Sequence, residues 1–215
     1  MKRPLIIIGA GGHARVLLDT LLSQNNNIID ITNPEPHKIG NYVFDIPIVG
    51  NDDFIFNYHP NDIYLVNGIG MIPGKNTRYQ LYERFKNHEY TFIKVIHTSV
   101  IIASNVKLFA GVQIMAGAII QTGVEIHENS IINTRVAIDH DSFIGEHVHL
   151  APGVTVSGDV SIGEGTFVGA GATIIQGIRI ADHCIIAAGS VVTQNIPAGT
   201  IAMGIPARVV KTVRT

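Results

Sequence analysis

A six-residue repeat in the second half of this 215-residue chain constrains its fold more than any other feature. Every sixth residue from Ile102 to Val192 is isoleucine, leucine or valine, at sixteen positions in succession. The residue three places further on is most often Gly, Asn or Asp, which tolerate positive φ at tight turns. A period of six fits neither an α-helix nor an alternating strand, and a β-sandwich would show irregular spacings of about 8–12 residues. The pattern therefore predicts an all-β parallel solenoid of short strands stacked coil upon coil.

The composition excludes several classes of protein. With 46% hydrophobic residues and a formal net charge of −2, the chain is too apolar for a disordered protein and offers no basic surface for nucleic acid. Although the mean hydropathy is +0.29, no stretch reaches the roughly 20 apolar residues of a membrane span. The apolar run at residues 5–8 is too short for a signal peptide, and a single cysteine excludes a disulfide framework within the chain. We therefore expect a cytoplasmic protein without membrane insertion.

Residues 1–90 show a different pattern, typical of a Rossmann-like α/β domain. The apolar run Leu5–Ile8 predicts a buried strand, and the glycine-rich segment at residues 9–14, GAGGHA, leads from it into an amphipathic helix. A second strand at Ile28–Ile31 carries Asp30, an acid about 20 residues beyond the glycines. The start of such a helix offers unpaired backbone N–H groups to a phosphate, so this turn is a candidate nucleotide site.

A third strand at Ile63–Val66, a second glycine-bearing loop at residues 67–70 and a helix at about residues 76–85 complete a predicted βαβαβ unit. Ninety residues make one mononucleotide-binding unit and not a whole dinucleotide-binding domain, which disfavours an oxidoreductase. A docking domain with a tight turn and no ligand remains the alternative.

The candidate catalytic residues are histidines at outward positions of the repeat. His140 lies between two carboxylates, Asp139 and Asp141, and a nearby carboxylate raises the basicity of an imidazole, as a general base requires. His149 is also at an outward position, immediately before a core leucine. Cys184 occupies an inward position, so we expect an inert core thiol and direct transfer without a covalent intermediate.

Two other histidines in the same region, His127 and His147, are expected to be structural. His140, His147 and His149 are the alternative candidates for a zinc site, but their spacing matches no common ligand pattern. We therefore expect no metal.

The spacing of the candidate residues predicts an assembly. His140 and His149 are nine residues apart. This is half of an eighteen-residue coil of three hexads, the coil of the hexapeptide-repeat acyltransferases that this repeat resembles, so the resemblance implies that they lie on opposite sides of one solenoid. At about 3.3 Å per strand residue they are separated by well over about 10 Å. Asn133 is sixteen residues before His149, almost one coil, so these two share a side. The histidines can share a cleft only if His140 of one chain faces His149 of a neighbour, which predicts parallel solenoids around a threefold axis.

Residues 97–196 resemble the hexapeptide-repeat acyltransferases, whose parallel β-helix is left-handed. The segment Gly204-Ile205-Pro206-Ala207-Arg208 is similar to the signature that this family places beside the adenine of coenzyme A. Together with the glycine-rich start, it makes the whole chain resemble the sugar acetyltransferases of the PglD/NeuD type. The resemblance implies a Rossmann-like nucleotide-sugar-binding domain at residues 1–90 and a left-handed β-helix at residues 91–196. It also implies a cap at residues 197–215 that contacts coenzyme A, although capping alone would explain that segment.

The resemblance also implies roles for single residues. His140 matches the catalytic base and Asp141 the acid that increases its basicity, a Glu in some relatives. Acetyl-CoA is the implied co-substrate and the family's homotrimer, with active sites at subunit interfaces, is the implied assembly. The remaining matches are Asn133 at the substrate amine, His149, Ala170 and Ala188 at acetyl-CoA, and Gly11, Gly12, His13 and Asp30 at the nucleotide sugar. Lys211 and Arg214 are candidates for the 3′-phosphate of coenzyme A.

The sequence thus predicts an acetyltransferase acting on the amine of a UDP-linked 4-amino sugar, as in bacillosamine synthesis. An O-acetyltransferase of the sialic acid type is the alternative, because the same base serves a hydroxyl group. A non-catalytic β-helix scaffold is disfavoured by the histidine cluster.

Overall fold

A computed structural model describes residues 3–213 of the chain. The chain divides into two compact units, Met1–Val95 and Ile96–Thr215. None of the helices in the described part of the chain is long and apolar enough to cross a membrane.

The first unit is a five-stranded sheet with helices, ordered β3-β4-β2-β1-β5. All pairs are parallel except the β3–β4 hairpin. Helix α1 packs through Ala14, Leu17, Leu18 and Leu21, which recur at helical spacing and are buried. The elements are β1 Leu5–Ile8, α1 Gly12–Ser23, β2 Ile28–Thr32, β3 Tyr42–Val43, β4 Ile46–Gly50, β5 Tyr64–Asn67 and α2 Thr77–Lys86, with 3₁₀ turns at Pro36–Lys38 and Asp52–Asn57.

This unit differs from a plain βαβαβ order between β2 and β5. The hairpin of β3 and β4 was not predicted, because its turn uses Phe44 and Asp45 at φ 49° and 65° instead of the Asn-Gly or Asp-Gly that marks such turns. The crossover from β4 to β5 is the 3₁₀ segment Asp52–Asn57, which is too short for an α-helical pattern. The predicted α/β class is confirmed, and the edge of the sheet is larger than expected.

The second unit is a parallel β-helix, which confirms the predicted solenoid. Seventeen two-residue strands alternate with turns and form three parallel sheets. Each residue pairs with the one eighteen positions further on, as Ile120 does with Ile138 and Ile138 with Val156. The strands are β6 Val95–Ile96, β7 Ile101–Ile102, β8 Lys107–Leu108, β9 Gln113–Ile114, β10 Ile119–Ile120, β11 Glu125–Ile126, β12 Ile131–Ile132, β13 Ala137–Ile138, β14 Phe143–Ile144, β15 His149–Leu150, β16 Thr155–Val156, β17 Ser161–Ile162, β18 Phe167–Val168, β19 Thr173–Ile174, β20 Arg179–Ile180, β21 Ile185–Ile186 and β22 Val191–Val192.

The three sheets are the faces of the solenoid. The first face contains β7, β10, β13, β16, β19 and β22, and the second contains β8, β11, β14, β17 and β20. The third contains β6, β9, β12, β15, β18 and β21 and continues into two strands of the cap. The repeat residues from Ile114 onward form one continuous buried core with Cys184. Burying each such aliphatic side chain contributes about 1.5–3 kcal/mol, which explains why the six-residue period is kept so strictly.

The turns explain the second regularity of the repeat. The residue three places after each core position from Ile102 to Ile186 adopts positive φ, between 54° at Asp159 and 76° at Gly123 among the Gly, Asn and Asp members. Three residues of other types also adopt it, namely Arg135, His147 and His183. The turn geometry is therefore imposed by the coil even where the local sequence does not favour it.

An antiparallel hairpin caps the solenoid after the last coil. Its strands are β23 Thr200–Gly204 and β24 Ala207–Thr212, and β23 pairs in parallel with β21. The hairpin covers an edge that would otherwise present unpaired backbone groups. Lys211 lies on β24, whereas Arg214 is outside the described residues.

Candidate active site

The strongest candidate for chemistry is the pair His140–Asp141, at the corner between the first and second faces. Strand β13 ends at Ile138, and Asp141 is the positive-φ residue of the turn that follows, at φ 59°. This left-handed conformation brings the Asp141 carboxylate beside the preceding side chain, and His140 Nδ1 lies 2.9 Å from Asp141 Oδ2. With the carboxylate ionised, Nδ1 carries the proton and donates it to Asp141, which leaves the lone pair on Nε2.

The charges around His140 make it a stronger base than an ordinary histidine. The hydrogen bond to Asp141 is the largest cause that raises the pKa of His140, and the charges of Asp139, Asp141 and Asp159 act in the same direction. Desolvation opposes them. Since the side chain remains 47% exposed, the imidazole can exchange its proton with a ligand. The corner therefore has the orientation, the basicity and the access of a general base.

Two glycines make room for this pair on the neighbouring coils. A Cβ built on Gly158, one coil after His140, would fall on the imidazole ring. A Cβ built on Gly123, one coil before Asp141, would fall on its carboxylate. The six-residue pattern does not indicate this role for either glycine, although each lies eighteen residues from the candidate that it accommodates.

A second group of predicted residues lies along the third face and its corner. Asn133 Nδ2 lies 3.3 Å from His149 Nε2, so the structure brings together the two residues expected to share a side. Asn133 Oδ1 accepts a hydrogen bond from the Thr134 N–H, which orients the amide. His149 is only 8% exposed, because the ring of Phe167 on the next strand packs against it at 5.1 Å. The His149 side chain, which was expected to be exposed, is thus covered by Phe167.

Ala170 and Ala188 are exposed at the corner that follows the third face. They are one coil apart, and the Gly189 N–H donates to the Ala170 carbonyl oxygen. A Cβ on Gly169 would lie 2.4 Å from the Ala188 nitrogen, so the backbones of these coils approach closely here. An extended ligand lying along this corner can meet backbone groups from successive coils.

The two groups lie on opposite sides of one solenoid. His140 is at the corner between the first and second faces, whereas His149 is on the third face, across the core from that corner. Within one chain, the structure therefore does not bring His140 and His149 into one site.

In the first unit, the glycine-rich turn opens helix α1. Gly11 is the residue before the helix, and no side chain caps the helix start or places an acid in its first turn. Gly11 and Gly12 are exposed, and a Cβ on either would have no neighbour within 4 Å. Neither has positive φ, so the protein's own packing does not require glycine at these two positions. The N–H groups at the start of such a helix point towards this open space, where an anionic ligand can bind.

The second glycine-bearing loop, residues 67–70, lies against the start of α1, and hydrogen bonds from Arg78 hold it in place. The buried Arg78 guanidinium donates to the carbonyl oxygens of Asn67, at 3.0 Å, and Ile69, at 2.6 Å. A Cβ on Gly68 would lie 2.6 Å from the Ile8 carbonyl oxygen, so this glycine is required by packing. A Cβ on Gly70 would touch His13 at 3.5 Å, so the loop and His13 are neighbours.

Asp30 occupies a different environment from the turn. It lies within strand β2, two residues before the strand ends, and is 7% exposed. The Tyr58 hydroxyl donates to Asp30 Oδ2 at 2.7 Å. This bond, followed by burial and the charge of Asp30, raises the pKa of Tyr58 to about 12. Tyr58 comes from a segment with no recognisable sequence signal, so this partner was not predictable.

His127, His147 and Cys184 pack against other parts of the solenoid. His127 stacks on Phe109 with ring centroids 4.2 Å apart, and His147 Nδ1 lies 2.9 Å from Asn129 Nδ2 in a buried pair. Cys184 is fully buried in the solenoid core. Within residues 3–213, no group of three or more His, Cys, Asp or Glu side chains is placed to hold a metal ion.

Comparisons with known proteins agree with both units. Residues 4–85 match the model of the PglD N-terminal domain. Residues 159–194 match the hexapeptide repeat of succinyl-transferase, and residues 141–176 match the bacterial transferase hexapeptide of six repeats. A comparison with curated proteins gives no match.

Solved structures resemble the whole chain. A histidine-to-asparagine variant of perosamine N-acetyltransferase from Caulobacter crescentus, in complex with CoA and GDP-perosamine, is 31% identical over 97% of both chains with a TM-score of 0.87. The acetyltransferase domain of PglB from Neisseria gonorrhoeae is 27% identical over 97% of this chain and 100% of that one, with a TM-score of 0.88. WeeI from Acinetobacter baumannii shares the fold, at 22% identity over 96% and 99% of the two chains and a TM-score of 0.85.

An α/β unit followed by hexapeptide coils with an exposed histidine–carboxylate pair defines an acyltransferase of the hexapeptide-repeat superfamily. More narrowly, the chain belongs to the family of hexapeptide-repeat sugar acetyltransferases that carry a PglD N-terminal domain. This membership confirms the predicted family, its left-handed β-helix and the prediction that the protein is an enzyme.

Proposed function

We propose that this protein transfers an acetyl group from acetyl-CoA to the amine of a nucleotide-linked 4-amino sugar, with His140 as the general base. The observation that carries the proposal is the bond from His140 Nδ1 to Asp141 Oδ2 at an exposed corner of the solenoid. The perosamine N-acetyltransferase neighbour, described with CoA and GDP-perosamine, and a PglB acetyltransferase domain described with acetyl-CoA support the choice of substrates.

The reaction follows from the tautomer of His140. As the amine nitrogen attacks the acetyl carbonyl carbon, His140 Nε2 takes the amine proton, and Asp141 stabilises the imidazolium that forms. The carbon–sulfur bond then breaks, and the imidazolium returns its proton to the departing thiolate of coenzyme A. Proton and charge are conserved, and no metal or protein nucleophile takes part. A hydrogen-bond donor stabilises the carbonyl oxygen, and we assign it to the His149 side chain or a backbone N–H.

The third face and its corner are the proposed acetyl-CoA site. His149 faces the acetyl group, Asn133 orients His149 and reaches the amine, and the backbones of Ala170 and Ala188 follow the pantetheine chain. Lys211 on the cap is the described cation proposed for the 3′-phosphate. Because His140 and His149 lie on opposite sides of one solenoid, a complete site needs His140 from one chain and His149 from a neighbour. We therefore propose a homotrimer with three such clefts.

The start of helix α1 is the proposed nucleotide-sugar site. A Cβ on Gly11 or Gly12 would meet no atom of the protein within 4 Å, so a pyrophosphate has room to approach the N–H groups at the start of the helix. His13 borders the same turn. Asp30 on strand β2, whose carboxylate accepts a hydrogen bond from Tyr58, is assigned to the same nucleotide-sugar site. The net charge of the whole chain, −2, does not attract an anion, so binding must come from these local dipoles.

An acceptor panel tests the proposal. Release of coenzyme A thiol is measured with UDP-4-amino sugars, GDP-4-amino sugars and free sialic acids; the only protein thiol, Cys184, is buried and gives little background. We expect turnover with nucleotide-linked amines and propose UDP as the nucleotide. Comparison of the UDP-linked with the GDP-linked amino sugars identifies the nucleotide directly. Turnover confined to sialic acid hydroxyls would replace the proposal by the O-acetyltransferase alternative, and turnover with none would contradict both.

A further inference from the structure

His140 rests on a glycine of the next coil. Gly158 is eighteen residues after His140, and a Cβ added to it would lie 2.5 Å from His140 Nε2, 2.6 Å from Cε1 and 3.0 Å from Cδ2. Real Cβ atoms do not approach ring atoms this closely. The observed position of the imidazole and a side chain at residue 158 therefore exclude each other.

The backbone does not explain this glycine. Gly158 does not have positive φ, and the residue of this turn that does is the next one, Asp159, at φ 54°. The other coils have a side chain in the same column, at Ser104, Thr122, His140, Gln176 and Gln194. The backbone of the turn at Gly158 would therefore accept a side chain, but the imidazole of His140 leaves no room for one.

We propose that Gly158 is a positioning residue for His140, because the missing side chain lets the imidazole lie against the next coil with Nδ1 towards Asp141. The inference deepens the proposed function and rests on it for the kinetic consequence, whereas the orientation of the ring does not depend on any reaction. The groups that face the ring are Asp139 and Asp141 on its own turn and Asp159 on the next coil.

A methyl group at residue 158 should change the orientation of the His140 ring and leave the fold intact. The His140 side chain is 47% exposed, so it can swing into solvent when a Cβ takes its place. Swinging out breaks the hydrogen bond to Asp141. A misplacement of about 1 Å in a reacting group can cost about 10²-fold in rate, so we expect Gly158→Ala to lower kcat by about 10- to 10²-fold.

The test combines a titration with kinetics on the full chain. The imidazole resonance of His140, assigned by its disappearance in His140→Ala, is titrated by NMR in the wild type and in Gly158→Ala. We expect the pKa of His140 to fall towards the ordinary value in Gly158→Ala, because the bond to Asp141 is lost. The acid limb of the kcat profile should move to lower pH, with the KM for acetyl-CoA within about twofold. Gln176→Ala, in the same column one coil further on, should change neither.

A double-mutant cycle separates positioning from a general defect. Once the ring is absent, a methyl group at residue 158 has nothing to displace, so the double variant should have the kcat and Tm of His140→Ala alone. An unchanged His140 titration and kcat in Gly158→Ala, or a further loss of kcat in the double variant, would overturn the proposal. If the titration shifts as expected but the wild type acetylates no amino sugar, the positioning role stands and the proposed function fails.

Discussion

At the scale of single residues, the proposed chemistry depends on one side chain, His140. We expect His140→Ala to lower kcat by about 10²–10⁴-fold, the usual contribution of a positioned base. The KM for acetyl-CoA should change little, because the residues proposed to bind it lie on the third face. Initial rates over a range of both substrates measure this split.

His183→Asn is a suitable control for His140→Ala. His183 is also an exposed histidine at a turn of the solenoid, and Asn accepts its φ of 55°. This variant should keep wild-type rates. Equal losses in the two variants would show that the effect of His140→Ala is not specific to a base.

The carboxylate of Asp141 is predicted to set the pH at which the enzyme begins to work. Asn also tolerates the left-handed backbone of this position, so Asp141→Asn preserves the turn. Its amide is neutral, so it no longer raises the pKa of His140, and the unprotonated base persists to lower pH. The acid limb of the pH profile of kcat/KM should therefore move to lower pH, with a milder loss of kcat than in His140→Ala. A limb that stays in place or moves to higher pH would contradict the role of Asp141.

At the scale of elements, the start of helix α1 can be tested without disturbing the fold. A side chain at Gly12 meets no atom of the protein within 4 Å, so Gly12→Val should fold and should fill only the space proposed for the ligand. We expect the KM for the nucleotide sugar to rise far more than the KM for acetyl-CoA. Two-substrate kinetics measure both constants.

Val16→Ala provides the comparison for Gly12→Val on the same helix. Val16 is 48% exposed one turn further along α1, so its truncation should leave both KM values unchanged. Equal rises in the two KM values in a folded Gly12→Val protein would show that this turn is not part of the nucleotide-sugar site.

Sequence periodicity predicted the elements whose pattern is dictated by one buried column, and it failed where a turn contains unusual residues or a contact joins distant segments. The coils from Ile102 to Val192 were readable because each core residue repeats at one fixed interval. The hairpin of β3 and β4 was not, because Phe44 and Asp45 are unusual at its turn. The site shows the same division: the pair His140–Asp141 is local, whereas the bond of Tyr58 to Asp30 joins residues 28 positions apart.

At the scale of the whole molecule, the positions of His140 and His149 predict complementation between inactive chains. His140→Ala and His149→Ala should each be inactive or strongly impaired as homo-oligomers. When the two are mixed and exchange subunits at random, about one quarter of the clefts receive His140 from one chain and His149 from the other. We expect activity to return to about that fraction of the wild type.

Purification of differently tagged chains through both tags then removes the unmixed oligomers, and since every remaining mixed trimer has one intact cleft of three, the activity of this fraction should rise to about one third of the wild type. Light scattering establishes the number of chains. A fully active monomer, or mixed oligomers that gain no activity although exchange is demonstrated, would argue against clefts built from two chains.

The constant pairing of each residue with the one eighteen positions further on means that the solenoid tolerates changes of length only in whole coils. Removal of one residue from a turn would rotate every later side chain out of its column, so that Ile138 and its successors would no longer face the core. Removal of a complete coil, such as residues 159–176, would instead rejoin identical positions and return the later strands and the cap to their places. The solenoid can therefore become longer or shorter in steps of one coil, about 4.8 Å, without losing the alignment of its columns.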